Sequence, residues 1–399
     1  MGNNLKKKKK NLIDDDKNKV GAKKASSGIQ PKDNKKEENA LDANVSYEDF
    51  EPIKILGQGS LGTVLLVRLK ANQKLYAMKI INNVIKIKGK KTKGNLIANI
   101  NSPFTVNIEY AFHARNKLYL VSEFMQGGDL FFHMYNTKRG KNVVFNNETT
   151  RFYIMELVLS LESLHKINMI YRNLKPEKIL LDSKGHIKLA NIGIGEIVDN
   201  EDYKPFALCE IQKYEVPEIM KRKGYTNAAD WFSLGCVMYE MLTGKSPFFV
   251  RRGVNIGMKT FEKEVLYPES LDKKAKNLIQ KLLILDPKER LGSGPNGTEN
   301  IKNDPYFEGI DWDDVLNKKI KPPFIPELNS DLDLRYFDKM FTEEPIDEFK
   351  LNNINKERER KPSNQYGGLT YVVGCSSHEL NHSYKELNVD DEIKIEEEI

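Results

Sequence analysis

Leu56-Gly57-Gln58-Gly59-Ser60-Leu61-Gly62-Thr63-Val64 places three glycines between two alternating apolar patterns, Ile53 and Ile55 before them and Val64 and Leu66 after. Glycines at such spacing let backbone N–H groups approach a phosphate closely. In a dinucleotide-binding fingerprint the same spacing joins a strand to a helix. Here it joins a strand to a strand, which makes it a hairpin tip and a lid over phosphate groups. Tyr76, Met78 and Ile80 continue the period-two pattern, so a third strand is expected. Alone, the loop reads equally well as a tight turn.

Further along, the period changes. Phe152, Met155, Leu159 and Leu164 recur at helical spacing, and Trp231 to Leu242 is apolar nearly all round, as in a buried helix. A small sheet followed by a helical body predicts two lobes. The 399 residues are 39% hydrophobic and 30% charged, with a formal net charge of +6, too mild to argue for nucleic acid. Three cysteines, Cys209, Cys236 and Cys375, exclude a disulfide framework and a zinc cluster of the usual spacing. No stretch approaches the ~18 apolar residues of a membrane span, so an intracellular chain is expected, cytoplasmic in location. Residues 1–45 are rich in Lys, Asn, Asp and Ser and are expected to form a disordered basic tail. Met1-Gly2 followed by Lys6 to Lys10 looks like a myristoylated polybasic anchor, although Lys6 stands where Ser or Thr belongs. The plainer reading is a solvated tail.

The chemistry-bearing motifs follow in order. Tyr76-Ala77-Met78-Lys79-Ile80 puts one lysine in an apolar strand, and Glu123-Phe124-Met125 precedes Gly127-Gly128-Asp129. Tyr171-Arg172-Asn173-Leu174-Lys175-Pro176-Glu177-Lys178 follows the long helix. Ala190-Asn191-Ile192-Gly193, Val216-Pro217-Glu218, Asp230-Trp231 and Arg290 complete the set. Their order and spacing resemble the protein-kinase signature set over residues 50 to about 307. Pro322-Pro323-Phe324-Ile325-Pro326, Tyr336-Phe337-Asp338 and Tyr366-Gly367-Gly368-Leu369-Thr370-Tyr371 resemble the C-terminal extension of AGC Ser/Thr kinases.

The resemblance implies an α+β, bilobal protein-kinase fold with a small β-rich lobe (about 50–125) and a larger helical lobe (about 126–307). An AGC-type extension with a hydrophobic motif (308–372) and an acidic tail (373–399) follow. It also implies the site. Gly57, Gly59 and Gly62 would meet phosphates through their amides, and Lys79 would reach the phosphates. Val64, Ala77 and Leu180 would sandwich adenine, Glu123 and Met125 would form its hinge, and Asp129 would contact ribose. Ser122, at the gatekeeper position, leaves room behind the adenine. Phe337 would lie near the adenine, Tyr366, Leu369 and Tyr371 would form the hydrophobic motif, and Thr370 would be a regulatory phosphosite.

The charged machinery departs from the family. Asn173 stands at the catalytic-base position, beside Lys175 of the same loop, and an amide has no basicity for a hydroxyl proton. Lys178 and Asn191 stand at the two metal-ligand positions, so no protein-held metal is expected. The helix glutamate that should pair Lys79 matches Lys93, and no acidic residue lies between Glu51 and Glu109. Lys86, Lys88, Lys90 and Lys91 add to the repulsion there. Ala207 takes the place of the activation-segment phosphothreonine, and Ile211 that of a second threonine. The apolar framework, with Ile97, Ile108, Tyr171 and Ile192 as its hydrophobic spine, is kept.

This pattern reads as a pseudokinase, an allosteric regulator or scaffold in phosphorylation signalling, with ATP held without a divalent metal. Its partners would be proteins, an active kinase or its substrates. One alternative is an active Ser/Thr kinase with unusual catalytic residues. Another is a lipid-bound adaptor at the inner membrane surface, carried there by the basic tail.

Overall fold

The computed structural model describes residues 45–59, 62–81, 100, 102–114, 117–135, 143–190, 196–197, 216–220, 225–248, 261, 264–346 and 371–372. Five antiparallel strands build the small lobe: β1 (Phe50–Gly59), β2 (Gly62–Leu69), β3 (Leu75–Ile81), β4 (Ile108–Ala114) and β5 (Lys117–Glu123), in the order β1-β2-β3-β5-β4. The glycine loop is the hairpin between β1 and β2, with Gly57 opposite Val64 and Gly59 opposite Gly62. Gly62 has φ 136°, and a Cβ there would lie 1.8 Å from the Ile80 carbonyl oxygen, so only glycine lets β2 close on β3.

The sheet buries one face in an aromatic-rich core of Phe50, Leu65, Val67, Leu69, Tyr76, Met78, Ile80, Tyr110, Phe112 and Tyr119. Phe112 stacks on Tyr119 at 5.0 Å and on Phe50 at 6.3 Å. Tyr76, Met78 and Ile80 sit in this core as their alternation predicts. On β2 the sequence reading named Val64 and Leu66, whereas Leu65, Val67 and Leu69 face this core. The strand is apolar on both faces, so alternation alone could not tell which face was the core.

The large lobe begins with α1 (Leu130–Tyr135) and the long α2 (Asn147–His165), whose first turn is capped by Asn146 accepting from the Thr149 amide at 2.7 Å. Then come β6 (Met169–Ile170), a 3-10 turn (Pro176–Lys178), β7 (Ile179–Leu181), β8 (Ile187–Leu189), β9 (Glu196–Ile197) and α3 (Pro217–Met220). The central α4 (Ala228–Thr243) is buried from Ala228 to Met241 and ends at Gly244 in the left-handed region. The one-sided α5 (Lys273–Leu282) packs on it through Ala275, Leu278, Ile279 and Leu282. Shorter helices α6 (Gly297–Lys302), α7 (Trp312–Leu316) and α8 (Lys339–Thr342) complete the helical set among the described residues.

After α7 the chain runs back over the molecule. Lys318 pairs with Asp182 at 3.4 Å, and the Phe324 carbonyl lies where a Cβ of Gly185 would be. The chain then crosses Gln126 and Gly128 and packs Phe341 and Ile346 against the small-lobe core. A two-residue strand, β10 (Tyr371–Val372), pairs antiparallel with the outer edge of β4, Tyr371 opposite Ala111. Thr370, Tyr366 and Leu369 lie outside the described residues, as do Lys93, Ile97, Asn191, Ile192, Ala207 and Ile211.

Arg290 is the best-buried cation of the large lobe among the described residues. It makes a bidentate pair with Glu218 (2.7 and 3.1 Å), donates to the carbonyls of Ala228, Ile284 and Leu285, and lies 4.8 Å from the Phe232 ring centroid. Removing one member leaves an uncompensated buried charge. Arg290→Ala should lower stability by about 3–5 kcal/mol in urea denaturation. A loss below 1 kcal/mol would show that the pair does not hold α3 to α4.

Candidate functional site

The cleft between the lobes is organised by Asp230, fully buried at the start of α4. Its Oδ1 accepts from the Arg172 amide (2.7 Å), and its Oδ2 from the Tyr171 amide (2.9 Å), with His165 Nε2 at 2.8 Å. Arg172 is thereby held at φ 69°, a strained conformation for a non-glycine residue. The Tyr171 hydroxyl donates to the Ala190 carbonyl at 2.6 Å. The loop carrying Asn173 and Lys175 is thus tied at its root to the large-lobe core, with Asn173 half-buried on it.

An apolar cluster adjoins the loop through Ala190, whose carbonyl takes the Tyr171 hydroxyl. Val106, Met125 and Ala190 form a buried cluster with Leu180 packed against it. Val64 and Ala77 are half-buried on β2 and β3, and Ala77 stands opposite Ser122, whose hydroxyl donates to its carbonyl at 3.3 Å. The structure therefore brings Met125 and Leu180 together as expected and adds Val106, which carried no motif. A Cβ on Gly57 would meet nothing within 4 Å, so the loop leaves open space there.

The hinge is fastened on three sides. The Glu123 carboxylate takes the Lys188 ammonium on both oxygens at 2.7 Å and accepts from the Asn107 amide at 3.0 Å. What Glu123 can offer a ligand is therefore main chain. The Gly127 amide donates to the Leu181 carbonyl, and the Leu181 amide to that of Gly128. Gly128 (φ 72°) runs so close under Tyr336 that a Cβ would lie 2.2 Å from its carbonyl oxygen. Phe337 stacks on Phe124, ring centroids 5.7 Å apart. Lys188 and Gln126 were missed in the sequence, and Tyr336 was quoted there only within the extension motif. Lys188 left a trace, as the polar residue in the apolar β8.

Charge is unevenly spread across the cleft floor. Asp129 accepts from the Phe132 amide at 2.8 Å, and its pKa is pushed up to about 6, by burial first, with Glu177 adding to the rise and Lys178 opposing it. Lys79, on β3 opposite Val64 and Leu120, is lowered to about 8, by burial and then by the neighbouring charge of Lys178. Lys178 ends the 3-10 turn, and its carbonyl accepts from the Ala190 amide at 2.9 Å. One side chain thus acts electrostatically on both ends of the cleft. On the acidic side, the Tyr135 hydroxyl donates to Glu240, a residue that no motif had marked.

A divalent cation in this cleft would need oxygen donors. At the described ligand position stands the Lys178 ammonium, which offers a cation no lone pair, and the other ligand position, Asn191, lies outside the described residues. Among the described residues no three His, Cys, Asp or Glu side chains cluster as a metal site.

Residues 50–307 match the protein kinase domain family. Ribosomal protein S6 kinase 2 alpha of Gallus gallus is 40% identical over 300 residues, 73% of this chain and 39% of that protein. Ribosomal protein S6 kinase alpha-1 of Homo sapiens is also 40% identical over 300 residues, 73% of this chain and 40% of that one. Serine/threonine-protein kinase YPK2/YKR2 of Saccharomyces cerevisiae is 37% identical over 338 residues, 82% of this chain and 48% of that one. The chain spans two fifths to half the length of these relatives.

The lowered Lys79 pKa, set by burial first and by Lys178 second, has a sign that can be measured. With its folded pKa lowered from 10.5 to about 8, Lys79 binds fewer protons folded than unfolded between those values, so it makes stability rise with pH through that window. Below pH 8 the penalty is complete. Lys79→Met should therefore stabilise the ligand-free chain at pH 7, by an amount on the order of 1 kcal/mol, and the gain should fade by pH 10.5. Lys178→Gln should raise the Lys79 pKa. A Lys79→Met gain that does not change from pH 7 to 10.5 would contradict the assignment.

Proposed function

We propose that this chain, which belongs to the protein kinase family and matches its AGC Ser/Thr members, is a catalytically impaired homologue acting as an allosteric regulator or scaffold. The observation that carries the reading is the stretch rooted on Asp230, which presents Asn173 and then Lys178 where the family has a base and a metal ligand. Phosphoryl transfer works by placing metal ions, held by carboxylate and amide oxygens, on the phosphates, and a base on the attacking hydroxyl. Here Lys178 replaces one of those oxygens and Asn173 replaces the base, while the cluster of Val106, Met125, Ala190 and Leu180 and the Asp230 anchor are kept. Selection for a shape rather than for turnover accounts for both facts.

ATP is the nucleotide this cleft would take. Gly57, Gly59 and Gly62 would offer amides to its phosphates, joined by Lys79. Val64, Ala77, Leu180 and Met125 would enclose adenine, and Asp129 would take the ribose hydroxyls. Phe337 would act through Phe124. Protein partners are an active kinase or its substrates, engaged through surfaces rather than through turnover. Phosphate on Thr370, immediately before β10, would strengthen attachment of the extension by charge-assisted hydrogen bonds to the lysines between Lys86 and Lys93.

Loss of a general base alone costs ~10²- to 10⁴-fold. Purified chain should show no phosphotransfer to peptide above a Lys79→Met control in a metal-dependent radiolabel assay, and Asn173→Asp alone should not restore it. Turnover in the range of ordinary kinases, abolished by Lys79→Met, would establish the active-kinase reading instead. For the extension, phosphate on Thr370 should slow hydrogen exchange of residues 83–97, with Thr370→Glu giving part of the effect. Identical exchange with and without the phosphate would remove Thr370 as a switch.

A further inference from the structure

We propose that Lys188 is a positioning residue for base recognition: by clasping both carboxylate oxygens of Glu123 it fixes the hinge main chain against the apolar cluster, so that the cleft tells one purine from another. This rests on reading the cleft as a nucleotide site.

The clasp is built from firm ground on both sides. Lys188 Nζ lies 2.7 Å from each oxygen of the Glu123 carboxylate, and the two side chains are only 13% and 26% exposed. Glu123 Oε1 also accepts from the Asn107 amide at 3.0 Å, while the Glu123 amide donates to the Asn107 carbonyl at 3.3 Å. On β8 the two neighbours of Lys188 are tied down. The Ile187 amide donates to Oε2 of the buried Glu156 at 2.8 Å. The Leu189 amide donates to the Phe104 carbonyl at 2.9 Å, and the Leu189 carbonyl accepts from the Val106 amide at 3.0 Å.

The same ties set the apolar cluster. Leu180 stands opposite Lys188 in the β7–β8 register, Ala190 follows two residues after it, and Val106 is bonded to Leu189. These are three of the four members, and the fourth, Met125, lies on the hinge two residues after Glu123. One ion pair therefore joins the start of the hinge to the strand that locates the rest of the cluster. At its far end the hinge is held by main chain, through the Gly127 amide to the Leu181 carbonyl and the Leu181 amide to the Gly128 carbonyl. At the near end a side chain does this work. An exposed ion pair contributes little. Here one ammonium meets two oxygens in a largely covered setting, where charge-assisted hydrogen bonds are strong. Hydrogen bonds to a base edge weaken steeply when misaligned, so a hinge released at Glu123 loses discrimination before it loses shape.

Calorimetric titration of ATP and GTP into the full chain tests this, since the two share ribose and phosphates and differ in the base. Each pair of titrations is run in EDTA and in excess magnesium chloride, and the ATP-to-GTP affinity ratio is compared within one buffer. Wild type should favour ATP, and Lys188→Met should lower the ratio by about fivefold to tenfold, the worth of one well-made hydrogen bond, with GTP affinity unchanged. Lys188→Arg, which keeps the charge, should keep the ratio. Glu123→Gln should match Lys188→Met, the double variant should lose no more than either, and thermal melts establish which variants are folded. Should Lys188→Met fail to fold, Glu123→Gln carries the test. Equal weakening of ATP and GTP in the charge-removing variants, which charge on the phosphates or general loosening would give, overturns the inference while leaving the nucleotide site in place. So does an unchanged ratio, a ratio lost in Lys188→Arg as well, or a wild type indifferent to the base. No binding of either nucleotide by wild type in either buffer overturns the nucleotide reading itself, and the inference with it.

Discussion

One buried carboxylate holds the cleft together. Asp230 has no solvent exposure, and a charge in that position is tolerable only if its lone pairs are filled. Two successive amides and an imidazole fill them, and in doing so they force Arg172 into a strained conformation and tie the loop bearing Asn173 and Lys175 to the lobe's central helix. That helix can serve as an anchor because it is apolar nearly all round and buried for almost its whole length. Arg290 and Glu218 add a second polar clamp near the same end, since Arg290 also bonds the Ala228 carbonyl in the first turn of α4. The site inherits its rigidity from packing that lies well below it.

The contrast between preserved framework and altered charge is what gives the cleft its character. An apolar pocket, a fastened hinge and a pinned loop are all present. The floor carries Lys79 and Lys178 beside Asp129 and Glu177, and burial first, then the charge of Lys178, lowers the Lys79 pKa. An anion bound beside Lys79 would favour its charged form, so ligand affinity and folding stability are linked at that side chain. A cleft arranged this way is suited to changing the population of a conformation when it fills.

Local chemistry was legible in the sequence, and long-range pairing was not. The glycine hairpin, the third strand and the two buried helices follow from spacing and residue type, whereas the roles of Lys79, Asn173 and Lys178 came from the family resemblance. On β2 the period-two rule failed because Val64 to Leu69 is apolar at every position but Arg68, so nothing in the pattern distinguishes the two faces. The Glu123–Lys188 pair joins residues 65 apart, and Tyr135 meets Glu240 across 105. Neither contact leaves a mark on the neighbours of either residue. Gly128 was quoted only as part of a motif, yet its missing side chain is what lets Tyr336 pass.

The extension touches the large lobe at Asp182 and Gly185, the hinge at Gln126 and Gly128, and the small lobe at Gln58 and the core around Phe50, where the Gln58 amide meets Glu344 at 3.0 Å. A strap fixed at both ends and in the middle makes the separation of the lobes and the detachment of residues 318–346 a single cooperative opening. The lobes cannot swing wide while the strap stays seated. Any partner that pulls on this segment therefore pulls on the aperture of the cleft, at a distance and without entering it.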